Sequence, residues 1–231
     1  MRDLYYDQLT EVIDDLVAMT SAVQTAVAQG TRALLEGDVE VAESVIAGQP
    51  DVAASRDLIE TRSLELMATQ APVATDLRQL VAALRMVAHL ERVGALSAHI
   101  AKIARLRTPE LAVPEGLRPT VARMAEVADA LIGNAAAVVS SRDTDAALAM
   151  VAEDEELDDL RRSLLRSVLG KDWTHGVEPA IDLALLGRYY ERIGDHAVSV
   201  ARLVVFLATG ELPGRADDTG DVLLGGTVAD V

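Results

Sequence analysis

Apolar residues recur at spacings of three and four along almost the whole chain, which is the pattern of amphipathic helices. The first such stretch runs to about residue 35, where Gly37-Asp38 interrupts it. Its apolar face consists of Leu9, Val12, Ile13, Leu16, Val23 and Val27. A second helix is predicted at about 39–69, with a kink or break at Gly48-Gln49-Pro50, because proline removes a backbone donor.

A third helix is predicted from Pro72 to about residue 106. The apolar residues expected on its buried face are Leu77, Leu80, Leu84, Val87 and Ile100. Residues 108–119 contain three prolines and a glycine, so we interpret them as a linker. Three further helices are predicted at about 120–141, 146–169 and 177–209. The segment 210–231 holds five of the fifteen glycines and has no helical period, which is typical of a flexible tail.

The second half of the chain repeats the first. Glu91-Arg92-Val93-Gly94 reappears as Glu191-Arg192-Ile193-Gly194, at an offset of 100 residues. The preceding helices align at an offset of 105, which places Gly37-Asp38 on Arg142-Asp143. The predicted fold class is therefore all-α, with six helices in two tandem antiparallel three-helix bundles related by an internal repeat. The first bundle is predicted at residues 1–107 and the second at 120–209.

The chain carries 37 acidic and 21 basic residues, a net charge of −16, which disfavours nucleic acid and anionic lipid as partners. It has no cysteine, so disulfides, iron–sulfur clusters and thiolate zinc sites are excluded. No uninterrupted apolar run reaches about 18 residues, and no direct membrane insertion is expected. The opening residues lack the apolar segment of a signal peptide, so a cytoplasmic location is the expectation.

Two pairs of acids are candidates for metal ligands. Asp154 and Asp158 are four residues apart and share a helix face, as do Glu191 and Asp195 on the next helix. If these helices are antiparallel neighbours, four carboxylates converge, and a hard cation or iron would relieve their repulsion. The alternative interpretation is a solvated acidic face, since acids four apart also occur elsewhere in the chain.

The histidines argue against ferritin-like chemistry. A di-iron site needs Glu-x-x-His on a helix, and none of His89, His99, His175 and His196 has a Glu three residues earlier. His196 follows Asp195 directly, so it could contact a metal or its carboxylates, or else form a hydrogen bond at a helix interface. His89 and His99 are interpreted as structural. No Gly-x-Ser-x-Gly motif occurs, and no catalytic residue is assigned.

Basic residues form one regular stripe on the third predicted helix. Arg78, Arg85 and Arg92 repeat every seven residues and could bind an anion or a partner. The favoured interpretation is a set of surface ion pairs on a solvated helix face.

Several motifs in order give the chain a family resemblance. They are Gln70-Ala71-Pro72-Val73-Ala74, Asp76-Leu77-Arg78, the Glu-Arg-Val-Gly sequence at residue 91, and Arg188-Tyr189-Tyr190-Glu191-Arg192-Ile193-Gly194-Asp195-His196. Together they resemble the PhoU family of bacterial phosphate-transport regulators, up to about Glu211. Gly94-Ala95-Leu96 and Trp173-Thr174-His175-Gly176 look most like its actinobacterial branch.

The resemblance implies a non-enzymatic, cytoplasmic negative regulator of phosphate uptake and phosphate-starvation signalling. Members of this family are thought to act as adaptors between the phosphate ABC transporter, through its ATPase, and a sensor histidine kinase. Some bind one metal cluster per bundle through paired carboxylates. A carboxylate-bridged metalloenzyme and a metal-free helical chaperone remain as alternatives, and a homodimer is left open.

This chain departs from the two-cluster pattern. The offset of 105 places Gln49 and Ala53 opposite Asp154 and Asp158, and the offset of 100 places Ala95 opposite Asp195. The first bundle therefore keeps only Glu91 as a remnant. We predict a divalent or trivalent metal ion (Fe, Zn, Mn or Mg) in the second bundle only. Its predicted ligands are Asp154, Asp158, Glu191 and Asp195.

Overall fold

The structure is a computed structural model that describes residues 2–211, without the side chains of residues 2, 3 and 151–154. Every regular element in that part of the chain is helical. The order is α1 (Arg2–Glu36), α2 (Val39–Ala47), α3 (Gln49–Gln70), α4 (Ala74–Arg107), a 3-10 turn (Glu115–Leu117), α5 (Arg118–Ser141), α6 (Thr144–Val168) and α7 (Val177–Thr209). The six predicted helices are confirmed, and the second is divided at Gly48 as the sequence indicated.

The same turn opens the second helix of each repeat. Gly37 and Arg142 both adopt a left-handed backbone conformation, with φ of 74° and 59°. Each is followed by an aspartate that caps the next helix. Asp38 accepts a hydrogen bond from the Val41 amide, and Asp143 accepts from the Asp145 and Ala146 amides. The offset of 105 read from the sequence therefore aligns equivalent structural positions.

The two bundles share one hydrophobic core. Helices α1 to α4 form the first bundle and α5 to α7 the second, but α1 also packs on α5 and α4 on α7. The predicted apolar face of α1 is buried along its whole length. Leu77 was predicted in the core and is 40% exposed. Three helical residues turn by about 300°, so Leu77 lies some 60° around α4 from the buried Leu80, at the solvent edge.

The predicted linker, residues 108–119, is packed against the bundles. Ala112 and Val113 are buried in the core, and the Arg118 guanidinium donates a hydrogen bond to the Leu35 carbonyl at the end of α1. Nothing in this packing fixes the domain boundaries, which stay a prediction. Of the predicted tail 210–231, all but Gly210 and Glu211 lies outside the described residues. Among helices of the described chain, none is long and apolar enough to cross a membrane.

Helices α4 and α7 cross in antiparallel orientation, which positions the two Glu-Arg-x-Gly sequences against each other. Residues progressively later in α4 contact residues progressively earlier in α7. The contacts are His89 with His196, His99 with Tyr189, and Arg107 with Asp182. This register brings Arg92 of α4 close to the level of Arg192 of α7. Equivalent residues of the two repeats therefore meet where the helices cross.

Candidate functional site

The glutamate of each Glu-Arg-x-Gly sequence accepts an ion pair from the preceding helix. Arg56 Nη1 of α3 lies 3.0 Å from Glu91 Oε2, and Arg161 Nη1 of α6 lies 3.4 Å from Glu191 Oε1. Arg56 and Arg161 are 105 residues apart, so they occupy the same place in the repeat. The sequence analysis did not single out this pair of arginines, although the offset that it used aligns them.

Glu191 is the most enclosed of the described candidate ligands, with 8% of its surface exposed. Both of its carboxylate oxygens accept hydrogen bonds from guanidinium groups. Arg188 Nη1 lies 2.5 Å from Oε2, and Arg161 Nη1 is the partner of Oε1. A buried carboxylate needs such partners, because its charge loses the stabilisation of water. Glu191 is therefore neutralised by the protein's own side chains.

Among the described residues, Asp195 has no comparable ion-pair partner. It lies at an edge that is open to solvent, yet neighbouring protein partly removes its carboxyl from water, and this burial raises its pKa. The nearby charges of Glu191 and Asp158 raise the pKa further, while Arg188 and Arg192 oppose the shift. Asp158, Glu191 and Asp195 thus lie near enough to interact electrostatically across α6 and α7, and we call these three residues the acidic cluster. The side chain of Asp154 lies outside the described residues.

The donor sets differ in how well they suit a metal ion. In the first bundle the set does not fit, because Glu91 is the single carboxylate among the four equivalent positions and already binds Arg56. In the second bundle, no three acidic or histidine side chains of the described residues are grouped closely enough to hold an ion. Metal binding there stays a prediction. It requires Glu191 to exchange an arginine for the cation, and carboxylate oxygens are ligands that Fe, Mn and Mg accept.

A histidine pair joins the two bundles beside this cluster. His89 Nδ1 and His196 Nδ1 are 3.1 Å apart, so one ring donates a hydrogen bond to the other. Burial lowers the pKa of His89, and it lowers the pKa of His196 to about 4, assisted by His89, Arg192 and Arg92. Both rings are therefore neutral at pH 7. His196 has the role of an interface histidine, and His89 and His99 contact the opposite bundle as structural residues.

The predicted arginine stripe lies on the face of α4 nearest α7. Arg78 donates a hydrogen bond to Thr75 Oγ1 at 3.1 Å, while Arg85 and Arg92 are exposed. None of the three arginines forms an ion pair with a described acid, and both interpretations of the stripe stay predictions. Heptad spacing placed these side chains on one face but could not show which acids would reach them.

An open apolar pocket of about 570 Å³ lies at the far end of the second bundle. It is lined by Leu165, Val168, Leu169, Trp173, Thr174, Gly176, Val177, Ala180, Ile181 and Ala184. Leu169, Val177 and Ile181 are 82%, 73% and 53% exposed. Exposed apolar surface concentrated in one place is typical of protein-binding sites. We call this surface the Trp173 pocket.

Comparison with known proteins identifies the family and the relatives of this chain. The model of the PhoU domain family matches residues 16–104 and 121–204, one match for each repeat. The chain belongs to the PhoU family. It is 44% identical over 213 residues to the phosphate-specific transport system accessory protein PhoU homolog 2 of Mycobacterium tuberculosis, covering 92% of this chain and 100% of that protein.

Other PhoU proteins extend the comparison. PhoU homolog 1 of Mycobacterium leprae is 42% identical over 219 residues, which is 95% of this chain and 98% of that protein. The crystal structure of PhoU from Pseudomonas aeruginosa superimposes with a TM-score of 0.84 at 25% identity, over 90% of this chain and all of that one. PhoU from Streptococcus pneumoniae gives 0.82 at 22% identity, over 90% of this chain and 98% of that one, a likeness of fold alone. The resemblance read from the motifs is confirmed, including its actinobacterial character.

Proposed function

We propose that this protein is an accessory regulator of phosphate transport. The observation that carries the proposal is its identity of 42–44%, over nearly the full length of both chains, to mycobacterial proteins named as accessory proteins of the phosphate-specific transport system. Both repeats contribute to that match, so the likeness extends beyond one bundle. The function is expected to be shared with these relatives.

In its finer form, the proposal is an adaptor that restrains uptake and starvation signalling when phosphate is plentiful. Its partners would be the ATPase of the phosphate ABC transporter and a sensor histidine kinase, so it would act at the cytoplasmic face of the membrane. The Trp173 pocket supports a binding role, because it exposes apolar side chains that a partner could cover. We assign the pocket to the contact with the transporter ATPase.

The alternative of a carboxylate metalloenzyme has less support. Metal-assisted catalysis needs an ion with an open coordination position and a group that activates the nucleophile. Both oxygens of Glu191 bind arginines, and the imidazole of His196 binds His89. These side chains are engaged in interactions that hold helices together, which favours a structural and regulatory role for the region.

Deletion of the gene tests the proposed function directly. We expect phosphate-responsive promoters to stay active in a deletion strain grown in high phosphate, and expression of the wild-type chain to restore repression. Close paralogues must be deleted too, since one could substitute for the missing protein. Correct repression in the complete deletion strain would refute the proposal.

The role of the Trp173 pocket needs a matched pair of variants. Ile181→Glu places a charge in the pocket, whereas Leu148→Glu places one at a site on α6 that is equally exposed, at 57% against 53%. Neither change buries the new charge, so both variants should fold. We expect Ile181→Glu alone to lose co-purification with the transporter ATPase and to lose repression. Equal behaviour of the two variants would remove the pocket from the adaptor contact.

A further inference from the structure

The outer edge of the α4–α7 crossing carries two exposed arginines, one from each repeat. Arg92 and Arg192 hold the same place in the two repeats, are both exposed, and lie opposite each other in the antiparallel register. Neither forms an ion pair with a described acid. The chain has sixteen more acids than bases, so potential partners are abundant. Two unpaired arginines therefore lie close together at this crossing.

A pair of hydrogen-bonded imidazole rings lies beside these charges. The His89–His196 pair occupies the crossing beside both arginines, and Arg92 and Arg192 are near enough to His196 to act on it electrostatically. Each ring uses Nδ1 in the pair, so each keeps Nε2 for another contact. The ring that accepts at Nδ1 carries its N–H at Nε2. The tautomers thus provide one imidazole donor in addition to the guanidinium groups.

We propose that Arg92, Arg192 and the His89–His196 pair form a binding site for a phosphate dianion at the seam between the two bundles. Guanidinium groups present paired N–H donors that match the oxygens of a phosphate, and two of them balance its charge. We call these four residues the seam site. It is separate from the predicted metal ligands, because it recognises the anion through cationic side chains.

A phosphate ion in the seam site would affect how the two bundles are arranged relative to each other. Its residues come from α4 of the first bundle and α7 of the second, so an anion held by both arginines joins the two halves. A ligand that binds one arrangement more tightly shifts the protein toward it. The inference rests on the proposed function for its biological meaning, since the regulator of phosphate transport would then bind phosphate directly.

The charge of Asp195 distinguishes phosphate held by arginines from phosphate held by a metal ion. It lies three residues after Arg192, and the two charges interact. If phosphate binds the arginines, Asp195 repels it, and Asp195→Asn should tighten binding. If phosphate instead binds through a metal ion on the acidic cluster, Asp195→Asn should weaken it. The one substitution therefore separates the seam site from a metal-bridged anion.

The experiment is calorimetric titration of purified full-length protein, after chelator treatment, at constant ionic strength. Orthophosphate is the first ligand, and phosphoserine, a small phosphate monoester, is the second. We expect saturable binding by wild type, about tenfold weaker binding for Arg92→Gln and for Arg192→Gln, and tighter binding for Asp195→Asn. Arg105→Gln is the matched control, because Arg105 is also exposed and unpaired with any described acid but lies about 20 Å along α4 from Arg92.

Each outcome decides the proposal. Dependence on Arg92 and Arg192 supports the seam site, and the tighter of the two ligands then identifies free or esterified phosphate as its occupant. The proposal is overturned if wild type shows no saturable binding at millimolar phosphate, if the seam variants bind like Arg105→Gln, or if Asp195→Asn binds more weakly. None of these results depends on transporter output, so the seam site and the proposed function can fail separately.

Discussion

Tyr190 of α7 and Thr31 of α1 form a buried hydrogen bond between the two bundles, with 2.7 Å between their hydroxyl oxygens. The Thr31 hydroxyl donates to the Val27 carbonyl at 2.9 Å, so its proton is already used. Tyr190 must therefore be the donor to Thr31. The residue just before Glu191 thus anchors α7 to the first helix of the other repeat, through a short chain of hydrogen bonds inside the shared core.

We predict that Tyr190→Phe lowers the free energy of unfolding by about 1 kcal/mol at neutral pH, the usual net contribution of one hydrogen bond. The ring still fills its site, and Thr31 keeps its bond to Val27. Urea unfolding measures the change. Tyr189→Phe is the control, because Tyr189 is partly exposed and stacks on His99 through its ring. A loss as large in the control would show that the Thr31 contact is not responsible.

The same tyrosine predicts a difference between wild type and variant at high pH. Burial raises the pKa of Tyr190 far above its ordinary value near 10. Because the unfolded chain releases this proton more readily, the contribution to stability is complete below about pH 10 and is lost as the pH rises. Above pH 10, wild type should lose about 1.4 kcal/mol per pH unit relative to Tyr190→Phe. Parallel stability curves for the two proteins in that range would contradict the assignment.

The two arginine–glutamate pairs should differ in their importance for stability. The Glu191 side chain is 11% exposed and that of Glu91 is 33% exposed. Arg161→Ala/Arg188→Ala leaves a nearly buried carboxylate without a partner, and we expect a loss of about 3–5 kcal/mol. Arg56→Ala leaves Glu91 in contact with water, so the expected loss is about 1 kcal/mol or less.

Thermal and urea unfolding of the variants measure this asymmetry. Adding Glu191→Gln to the double arginine variant is the control, because it removes the unpaired charge and should recover part of the loss. If the triple variant is no more stable than the double variant, the cost does not arise from the Glu191 charge.

Close packing between α3 and α4 predicts the effect of a single methyl group. A Cβ at Gly94 would lie 2.9 Å from Val52 Cγ1, and the branched valine side chain cannot easily rotate away. We therefore expect Gly94→Ala to destabilise the protein by about 1–3 kcal/mol, although alanine favours a helix more than glycine does. Val52→Ala/Gly94→Ala should be more stable than Gly94→Ala alone in thermal unfolding, since the second change removes the clash. A stabilised Gly94→Ala would disprove the contact.

The course of the helices could be predicted from the sequence because local chemistry determines it. The aspartate caps at Asp38 and Asp143 and the break at Gly48 depend on residues within a turn or two. The antiparallel contact of His89 with His196 depends on how α4 crosses α7, which no local pattern encodes. The internal repeat did contain part of this information, since equivalent positions meet where a helix crosses its own copy.

The candidate site was predictable in its membership but not in its electrostatics. Spacing placed Asp158, Glu191 and Asp195 on facing helices, where the charges of Glu191 and Asp158 raise the pKa of Asp195. Spacing did not show that arginines occupy both oxygens of Glu191, because Arg161 comes from another helix and Arg188 depends on a side-chain rotamer. A list of acids at helical intervals therefore overstates how free those acids are to bind a cation.

Elemental analysis of the purified protein tests the predicted metal. We expect wild type, prepared without chelators, to contain Fe, Zn, Mn or Mg, and Asp158→Ala/Asp195→Ala to lose it. Glu91→Ala is the control. The first bundle has no acids at the positions equivalent to the other three predicted ligands, so this substitution should not change the metal content. The metal must compete with Arg161 and Arg188 for Glu191, so Arg188→Ala should retain metal more strongly against a chelator. If wild type binds none of these metals, or if the aspartate variant keeps its content, the acidic cluster is an ion-pair network that holds α6 against α7.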